Sequence, residues 1–144
     1  MTRSLALCLF LTLTATPVAF AQDAPAPQPA ATSDARHIIE QQLAAFERDD
    51  AVEAYSYAAP EIQALFPDPN LFLSMVAANY APVHRHRSVE FAAEAEQDGK
   101  VAETVLFTDP DGQVWMAIYK LEKEPEGDWK IAGCALAKSE QKGL

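Results

Sequence analysis

Cysteine, glycine and positive charge are scarce in this 144-residue chain, and each shortage excludes a class of protein. The two cysteines, Cys8 and Cys134, are too few for a disulfide framework, and the chain has no cysteine and histidine set typical of structural zinc sites. The five glycines form no phosphate-binding or dinucleotide-binding loop. Eleven lysines and arginines stand against 21 aspartates and glutamates, which gives a formal net charge of −10. Because an acidic chain repels phosphates and anionic headgroups, we expect binding neither to nucleic acid nor to a membrane surface.

The longest apolar run lies at residues 5–11, and the residues on either side of it are typical of a secretory signal peptide. Arg3 precedes the run, and the Ala-Phe-Ala at 19–21 has the form of a cleavage site. The run is too short to span a bilayer, so we expect no membrane anchor after cleavage. The prediction for residues 1–21 is a signal peptide cleaved after Ala21, with export to a bacterial periplasm or secretion. Cleavage would leave Cys134 as a single thiol.

The rest of the chain is expected to hold one folded domain behind a spacer. Residues 22–32 read QDAPAPQPAAT, which is rich in proline and has no large apolar side chain, so we predict a disordered spacer. The predicted domain covers residues 33–138, enough chain for one core, and residues 139–144 are predicted to be a flexible tail. Cys134 lies in an apolar segment of this domain, which favours a buried side chain over a redox thiol or an intermolecular disulfide.

Hydrophobic spacing predicts helices in the first half of this domain and strands in the second. Apolar residues recur at helical intervals up to about Tyr80, and Pro82 is predicted to end the helical part. Alternating segments then follow, separated by turn sequences such as Asp98-Gly99. The predicted helices cover 35–48, 51–58, a short turn from 60 to 66, and a segment that follows a turn at 67–70; the predicted strands cover 88–96, 101–107, 114–121 and 129–137.

This order of elements predicts an α+β fold, in which about three N-terminal helices pack on a curved four-stranded antiparallel sheet. Short turns between successive strands favour a meander. A strongly curved sheet wrapped on a few helices would leave a cavity at its open end. In the first strand, alternation places Val89, Phe91, Ala93 and Ala95 on one face and Glu94 on the other.

Several segments resemble known families. IEQQLAAFERDDAVEAYSYAA at 39–59 is similar to the opening helix pair of nuclear transport factor two-like (SnoaL-like) domains. AYSYAAPEIQALFPDP, FLSMVAANYAPVHRHRSVEF and DGQVWMAIYKLEKEPEGDWKIAGCAL resemble exported bacterial proteins of domain of unknown function 4864. The resemblance covers about residues 37–136 and implies the nuclear transport factor two-like fold. The resemblance carries no catalytic motif. The superfold hosts isomerases, dehydratases, cyclases and binding modules alike, so the fold does not select one of these functions.

The densest polar cluster is His84-Arg85-His86-Arg87. In an extended chain the histidines would point to one face and the arginines to the other. Two histidines are too few for a closed metal site, so no metal is predicted. The cluster would either attract a carboxylate or phosphate group, or form a solvated sheet edge.

Glu103 and the pair Asp49-Asp50 each allow a catalytic and a structural interpretation. Glu103 shares a predicted strand face with Val101, Val105 and Phe107, where burial would raise its pKa and suit a general base. The alternative is an exposed glutamate, or a bulge that reverses the faces. The pair Asp49-Asp50 is predicted to cap a helix rather than to catalyse.

Aromatic residues supply candidate walls for a ligand pocket. Trp115 and Tyr119 share a predicted strand face, and Tyr80 ends the last predicted helix. Such residues either pack in the core or line a cavity. The predicted ligand-binding set is therefore Tyr80, His84, His86, Trp115 and Tyr119.

Three functions are compatible with these features. The favoured one is a non-catalytic periplasmic module that binds a small ligand or a protein partner. The first alternative is an isomerase- or dehydratase-like enzyme that transfers a proton through Glu103 or His86. The second is an envelope assembly protein that forms a homodimer through its open sheet face. No motif predicts a cofactor.

Overall fold

The computed structural model describes residues 33–142, in which five short helices precede four strands. The predicted signal peptide at 1–21 and spacer at 22–32 lie outside the described residues. The helices are α1 (Asp34–Glu47), α2 (Ala51–Ser56), α3 (Pro60–Leu65), α4 (Pro69–Asn79) and α5 (Ala81–His84). The strands are β1 (Ser88–Gln97), β2 (Lys100–Thr108), β3 (Gln113–Lys123) and β4 (Trp129–Lys142).

Capping side chains mark the first turns of α1 and α2. The Ser33 hydroxyl accepts a hydrogen bond from the Arg36 amide at 3.1 Å at the start of α1. Asp50 accepts from the Glu53 amide at 3.0 Å and caps α2, as the sequence predicts. Pro82 does not end helical structure, because α4 has already ended at Asn79 and Pro82 lies in the first turn of α5. Proline fits there because the first amides of a helix need no intrahelical acceptor.

The sheet is an antiparallel meander with the order β1-β2-β3-β4, as predicted. Each strand pairs with its sequence neighbour through a short turn. The last strand is longer than predicted, since β4 continues to Lys142 and includes residues 139–142 of the predicted tail. The register Gln113↔Lys142 shows that this extension pairs with the start of β3.

Two β-bulges change which side chains face the helices. In β1, Phe91 pairs with Val105 and Ala93 with Thr104, so one extra residue reverses the alternation. The prediction that Ala93 and Ala95 share the face of Phe91 is therefore wrong. In β4 a second irregularity lies between Ile131, which pairs with Leu121, and Gly133, which pairs with Lys120, so an extra residue is again inserted on the β4 side.

After these bulges, four residues form one row across the sheet. Glu94 lies opposite Glu103, Glu103 opposite Tyr119, and Tyr119 opposite Cys134. Because directly opposed residues of antiparallel strands point to the same side, all four side chains face the helices. The central pair, Glu103 and Tyr119, is 0% and 1% exposed.

The core lies between the helices and this concave face of the sheet. Ile39, Leu43 and Phe46 form the buried stripe of α1 and pack with the buried residues of the middle strands. The link between α2 and α3 is anchored to β4, because the Ile131 amide donates to the Tyr57 carbonyl and the Ala59 amide to the Ile131 carbonyl, each at 2.8 Å. The observed architecture is the predicted α+β class and is consistent with a nuclear transport factor two-like fold. Among residues 33–142, no helix combines the length and apolar character needed to cross a bilayer.

Candidate functional site

A cavity of about 90 Å³ lies between the helices and the concave face of the sheet, and it is partly open to solvent. Aromatic and aliphatic side chains make most of its wall, and no charged side chain is among the described residues that line it. Its lining includes Phe46 of α1, Phe72 and Val76 of α4, and Ile131 of β4. A pocket of this composition favours an uncharged, mainly apolar ligand.

Most of the polar side chains in the cavity wall already have protein partners. Gln42 is buried and donates through Nε2 to the Ala54 carbonyl at 3.1 Å. The Tyr80 hydroxyl donates to the Cys134 carbonyl at 3.0 Å. These two bonds brace the cavity wall and use the Tyr80 hydroxyl proton and one of the two Gln42 amide protons.

The Tyr119 hydroxyl is the exception. It is buried, bonds to no nitrogen or oxygen of the described residues, and has the Cys134 thiol as a weak neighbour of poor hydrogen-bond geometry. Burial first, and then the Cys134 thiol, raise the pKa of Tyr119 well above its usual 10, so this phenol stays neutral. Leaving a buried hydroxyl without a strong partner costs roughly 1–3 kcal/mol.

Cys134 lies beside Tyr119 in the cavity wall and is a free cysteine. Burial raises the pKa of its thiol to about 12, although a hydrogen bond of poor geometry with the Tyr119 hydroxyl opposes the shift. Because the thiolate is the reactive form of cysteine, this side chain acts here as a small apolar wall residue.

The structure brings two of the predicted ligand-binding residues together and places three elsewhere. Tyr80 and Tyr119 both line the cavity. Trp115 lies outside the lining, where its indole Nε1 donates to the Asp109 carboxylate of the β2–β3 turn at 2.9 Å. His84 and His86 also lie outside it. Gln42 and Phe46 were missed, although their helical spacing in α1 already marks one buried stripe.

The basic cluster at 84–87 contacts carboxylates of the protein itself. The two oxygens of Asp49 lie 2.9 Å from His84 Nε2 and 2.7 Å from Arg85 Nη2. Arg85, and to a smaller extent His84, hold the pKa of Asp49 below its usual range. Asp49 also has a positive φ of 54°, so these bonds fix a backbone conformation that most residues avoid. The sequence predicted that the histidines and the arginines of this segment point to opposite faces. Instead, His84 belongs to α5, and His84 and Arg85 both contact Asp49.

His86 is largely buried at the other end of the same segment. Its ring lies 5.4 Å from the Phe107 ring, and its Nε2 lies 3.4 Å from a Glu47 oxygen. The sequence did not identify the carboxylate partners of this cluster, which are Glu47 at the end of α1 and Asp49 two residues later. Nothing in their local sequence indicates that the chain returns to them almost 40 residues later. Within the described part of the chain, no group of three or more His, Cys, Asp or Glu residues could hold a metal ion.

Glu103 lies on the buried face of β2 with Val105 and Phe107, as the alternation predicts. It does not line the cavity. Its Oε1 accepts from Arg36 Nη2 at 2.9 Å, and the Arg36 guanidinium lies 5.0 Å from the Phe91 ring centre. Burial first, and then the facing Glu94 carboxyl, raise the pKa of Glu103 to about 7, although Arg36 opposes the shift.

Within residues 33–142, the fold and site together define a class: an α+β protein whose helices and antiparallel meander enclose a small, mainly apolar cavity with the buried Tyr119 hydroxyl in its wall. The chain belongs to the family described as Domain of unknown function (DUF4864), whose model matches residues 28–144. No curated protein matches this chain.

Proposed function

We propose that this protein is an exported, non-catalytic module that binds a small, uncharged, mainly apolar molecule in its cavity. The observation that carries this proposal is the buried Tyr119 hydroxyl in a mainly apolar wall, which bonds to no nitrogen or oxygen of the described residues and has only the weakly hydrogen-bonding Cys134 thiol beside it. A ligand with one hydroxyl or carbonyl group would satisfy Tyr119 and cover the apolar wall. Export is supported by the signal-peptide pattern at residues 1–21.

The size of the cavity limits the ligand. An engineered apolar cavity of about 150 Å³ binds benzene. The present cavity measures about 90 Å³ but is partly open, so a single ring or a short alkyl chain fits with one end at the mouth. The absence of charged side chains from the described lining disfavours a carboxylate or ammonium group inside it.

Binding is favoured over the enzymatic alternative by the placement of the two proton-transfer candidates. Glu103 and His86 both lie outside the lining. The Glu103 carboxylate instead binds Arg36 Nη2 at 2.9 Å, so a substrate in the cavity does not meet it. A general base must lie within hydrogen-bond reach of the proton it removes.

The binding proposal predicts a specific order among three ring compounds in a thermal unfolding assay. We expect p-cresol at ten times its dissociation constant to raise the melting temperature by about 5 °C. Toluene should stabilise less, because it cannot bond to Tyr119, and 4-methylbenzoate should not stabilise. In Tyr119→Phe, p-cresol should lose its advantage over toluene.

Tyr55→Phe is the matched control for that variant. The Tyr55 hydroxyl donates to the Phe66 carbonyl at 2.7 Å and lies outside the cavity lining. Its loss should cost about 1 kcal/mol of stability and leave the order of the three ligands unchanged. The proposal is wrong if none of the compounds stabilises the wild type, or if Tyr119→Phe keeps the p-cresol preference.

A second candidate function, assembly as a homodimer, is favoured by the sheet face opposite the helices. Met116 and Ile118 are 39% and 37% exposed there. Their cross-strand partners are Leu106, Thr104 and Ala135, so the centre of this face carries no charge. A second copy presents the same partly exposed apolar residues, and two identical surfaces can pair about a two-fold axis.

Light scattering at tens of micromolar protein tests this second candidate. We expect a dimer for the wild type and a monomer for Ile118→Lys, which would bury an unpaired charge. Val52→Lys is the control, because Val52 of α2 is 70% exposed and lies away from the sheet. A monomeric wild type would rule out the dimer without bearing on the cavity.

A further inference from the structure

A second group of polar side chains lies where the first turn of α1 meets β1 and β2. The Ser33 hydroxyl, which caps α1, also donates to the Glu94 carboxylate. Arg36, one turn further, binds Oε1 of the buried Glu103. Glu94 and Glu103 are directly opposed across the β1–β2 ladder. None of these contacts takes part in the cavity.

Two buried groups of this cluster have no hydrogen-bond partner among the described residues, the acceptor Glu103 Oε2 and the donor Arg36 Nε. Arg36 binds Glu103 through Nη2 and Oε1, so in this geometry the guanidinium leaves Oε2 without a donor. Glu94, which faces it, is also an acceptor when ionised, and two like charges so placed repel each other. A single proton on the pair supplies the missing donor and removes one of the two negative charges.

We propose that Glu94 and Glu103 share one proton, and that this proton fastens the first turn of α1 to the sheet. With the proton bound, Glu94 bridges Glu103 and the capping Ser33, while Arg36 holds the other oxygen of Glu103. With the proton lost, the two carboxylates repel each other, and the exposed Glu94 is the one free to move away. Ser33 then loses its link to β1, and the start of α1 opens.

The surrounding charges set the direction of the pH dependence. Glu103 is faced by Arg36 from α1, by Glu94 from β1 and by the neutral Tyr119 from β3, while His86 lies beside Phe107 near the end of β2. Glu94 shares a surface cleft with Asp34 of α1, Glu96 of β1 and Lys123 of β3. Arg36 alone favours the charged form, whereas burial and Glu94 disfavour it, so Glu103 holds its proton up to a pKa of about 7. The contacts of Glu94 with Ser33 and Glu103 are therefore intact in mildly acidic solution, and they break as the pH rises through neutrality.

Carbon-13 NMR of the glutamate side chains in the full chain tests the shared proton directly. We expect the Glu103 carboxyl carbon to titrate near pH 7. In Glu94→Gln the midpoint should fall by at least about one pH unit, because the like charge is gone and the amide donates to ionised Glu103. Glu96→Gln removes the same charge two residues further along β1 and should leave the midpoint in place.

Hydrogen exchange at the Arg36 and His37 amides tests whether the first turn of α1 opens, because both amides donate to Ser33. After correction for intrinsic pH dependence, we expect their exchange to rise about five- to tenfold between pH 5.5 and 8 in the wild type. In Glu94→Gln the exchange should stay constant. A Glu103 midpoint between pH 4 and 5, or equal exchange at both pH values in the wild type, would overturn the proposal.

Discussion

Replacement of Arg36 by methionine is expected to lower the free energy of unfolding by about 2–4 kcal/mol at pH 8, and by about 1 kcal/mol or less at pH 5.5. Arg36 is the described residue that donates to the fully buried Glu103, at 2.9 Å. Without it, an ionised Glu103 would be buried and unpaired. Methionine keeps the length and apolar packing of the side chain against Phe91, so the loss reports on charge.

The pH dependence of this loss follows from the raised pKa of Glu103. A group whose pKa is raised by folding stabilises the protein fully below its unfolded value, near 4.5, and that contribution is lost as pH rises through the folded value, about 7. Because Arg36 lowers this pKa, the variant raises it further and continues to lose stability above pH 7. Denaturant unfolding at several pH values measures both effects.

Arg48→Met is the matched control on the same helix. Arg48 forms an ion pair with Glu53 at 2.6 Å, but both side chains are substantially exposed. Exposed pairs contribute about 0–1 kcal/mol, so the control should change little and show no step near neutral pH. Equal losses for the two variants, or a loss at Arg36 that does not vary with pH, would contradict this account of Glu103.

Phe46→Ala is expected to cost about 3–5 kcal/mol, the largest effect of a single substitution considered for this chain. The Phe46 side chain is buried and its ring centre lies 6.3 Å from those of Phe72 and His84. It also lines the cavity, so its removal joins new space to an existing void instead of letting the core close. Chemical denaturation with comparable m-values measures the loss.

The same variant tests the position of the ligand site. A larger cavity should admit a two-ring alcohol such as 1-naphthol, which should stabilise Phe46→Ala and not the wild type. Phe66→Ala is the control, because Phe66 lies 6.2 Å from Phe72 but is half-buried and outside the lining. We expect it to cost about 1–2 kcal/mol and to leave ligand size selection unchanged. Stabilisation of both variants by 1-naphthol would place the site elsewhere.

Much of the fold could be predicted from local patterns. The caps at Ser33 and Asp50 could be predicted because capping depends on the next three residues alone, whereas α4 starts at Pro69, inside the segment predicted to be a turn, with Asp68 as its cap. The buried face of β2 was also predicted, since no bulge interrupts the alternation there. Because the helices precede a meander of strands in the chain, few arrangements of the helical layer on the sheet were possible.

The candidate site could be predicted only in part. Tyr80 and Tyr119 line the cavity, but Trp115 is held by Asp109 at a turn. Alternation indicates which side of a strand a residue faces, and it does not indicate how far along the strand a cavity extends. The partners of the basic cluster were out of reach for a similar reason, because Asp49 is 36 residues from Arg85 in sequence.

The sequence by itself determined the type and order of the elements, because helical and strand periods, caps, prolines and turns act over a few residues. Only the tertiary structure decided which polar groups meet. The bulges in β1 and β4 bring Glu94 and Cys134 to the concave face, and a bulge depends on how two strands pair rather than on the alternation of either. The contact of Tyr119 with Cys134 and the carboxyl pair of Glu94 and Glu103 both follow from that pairing.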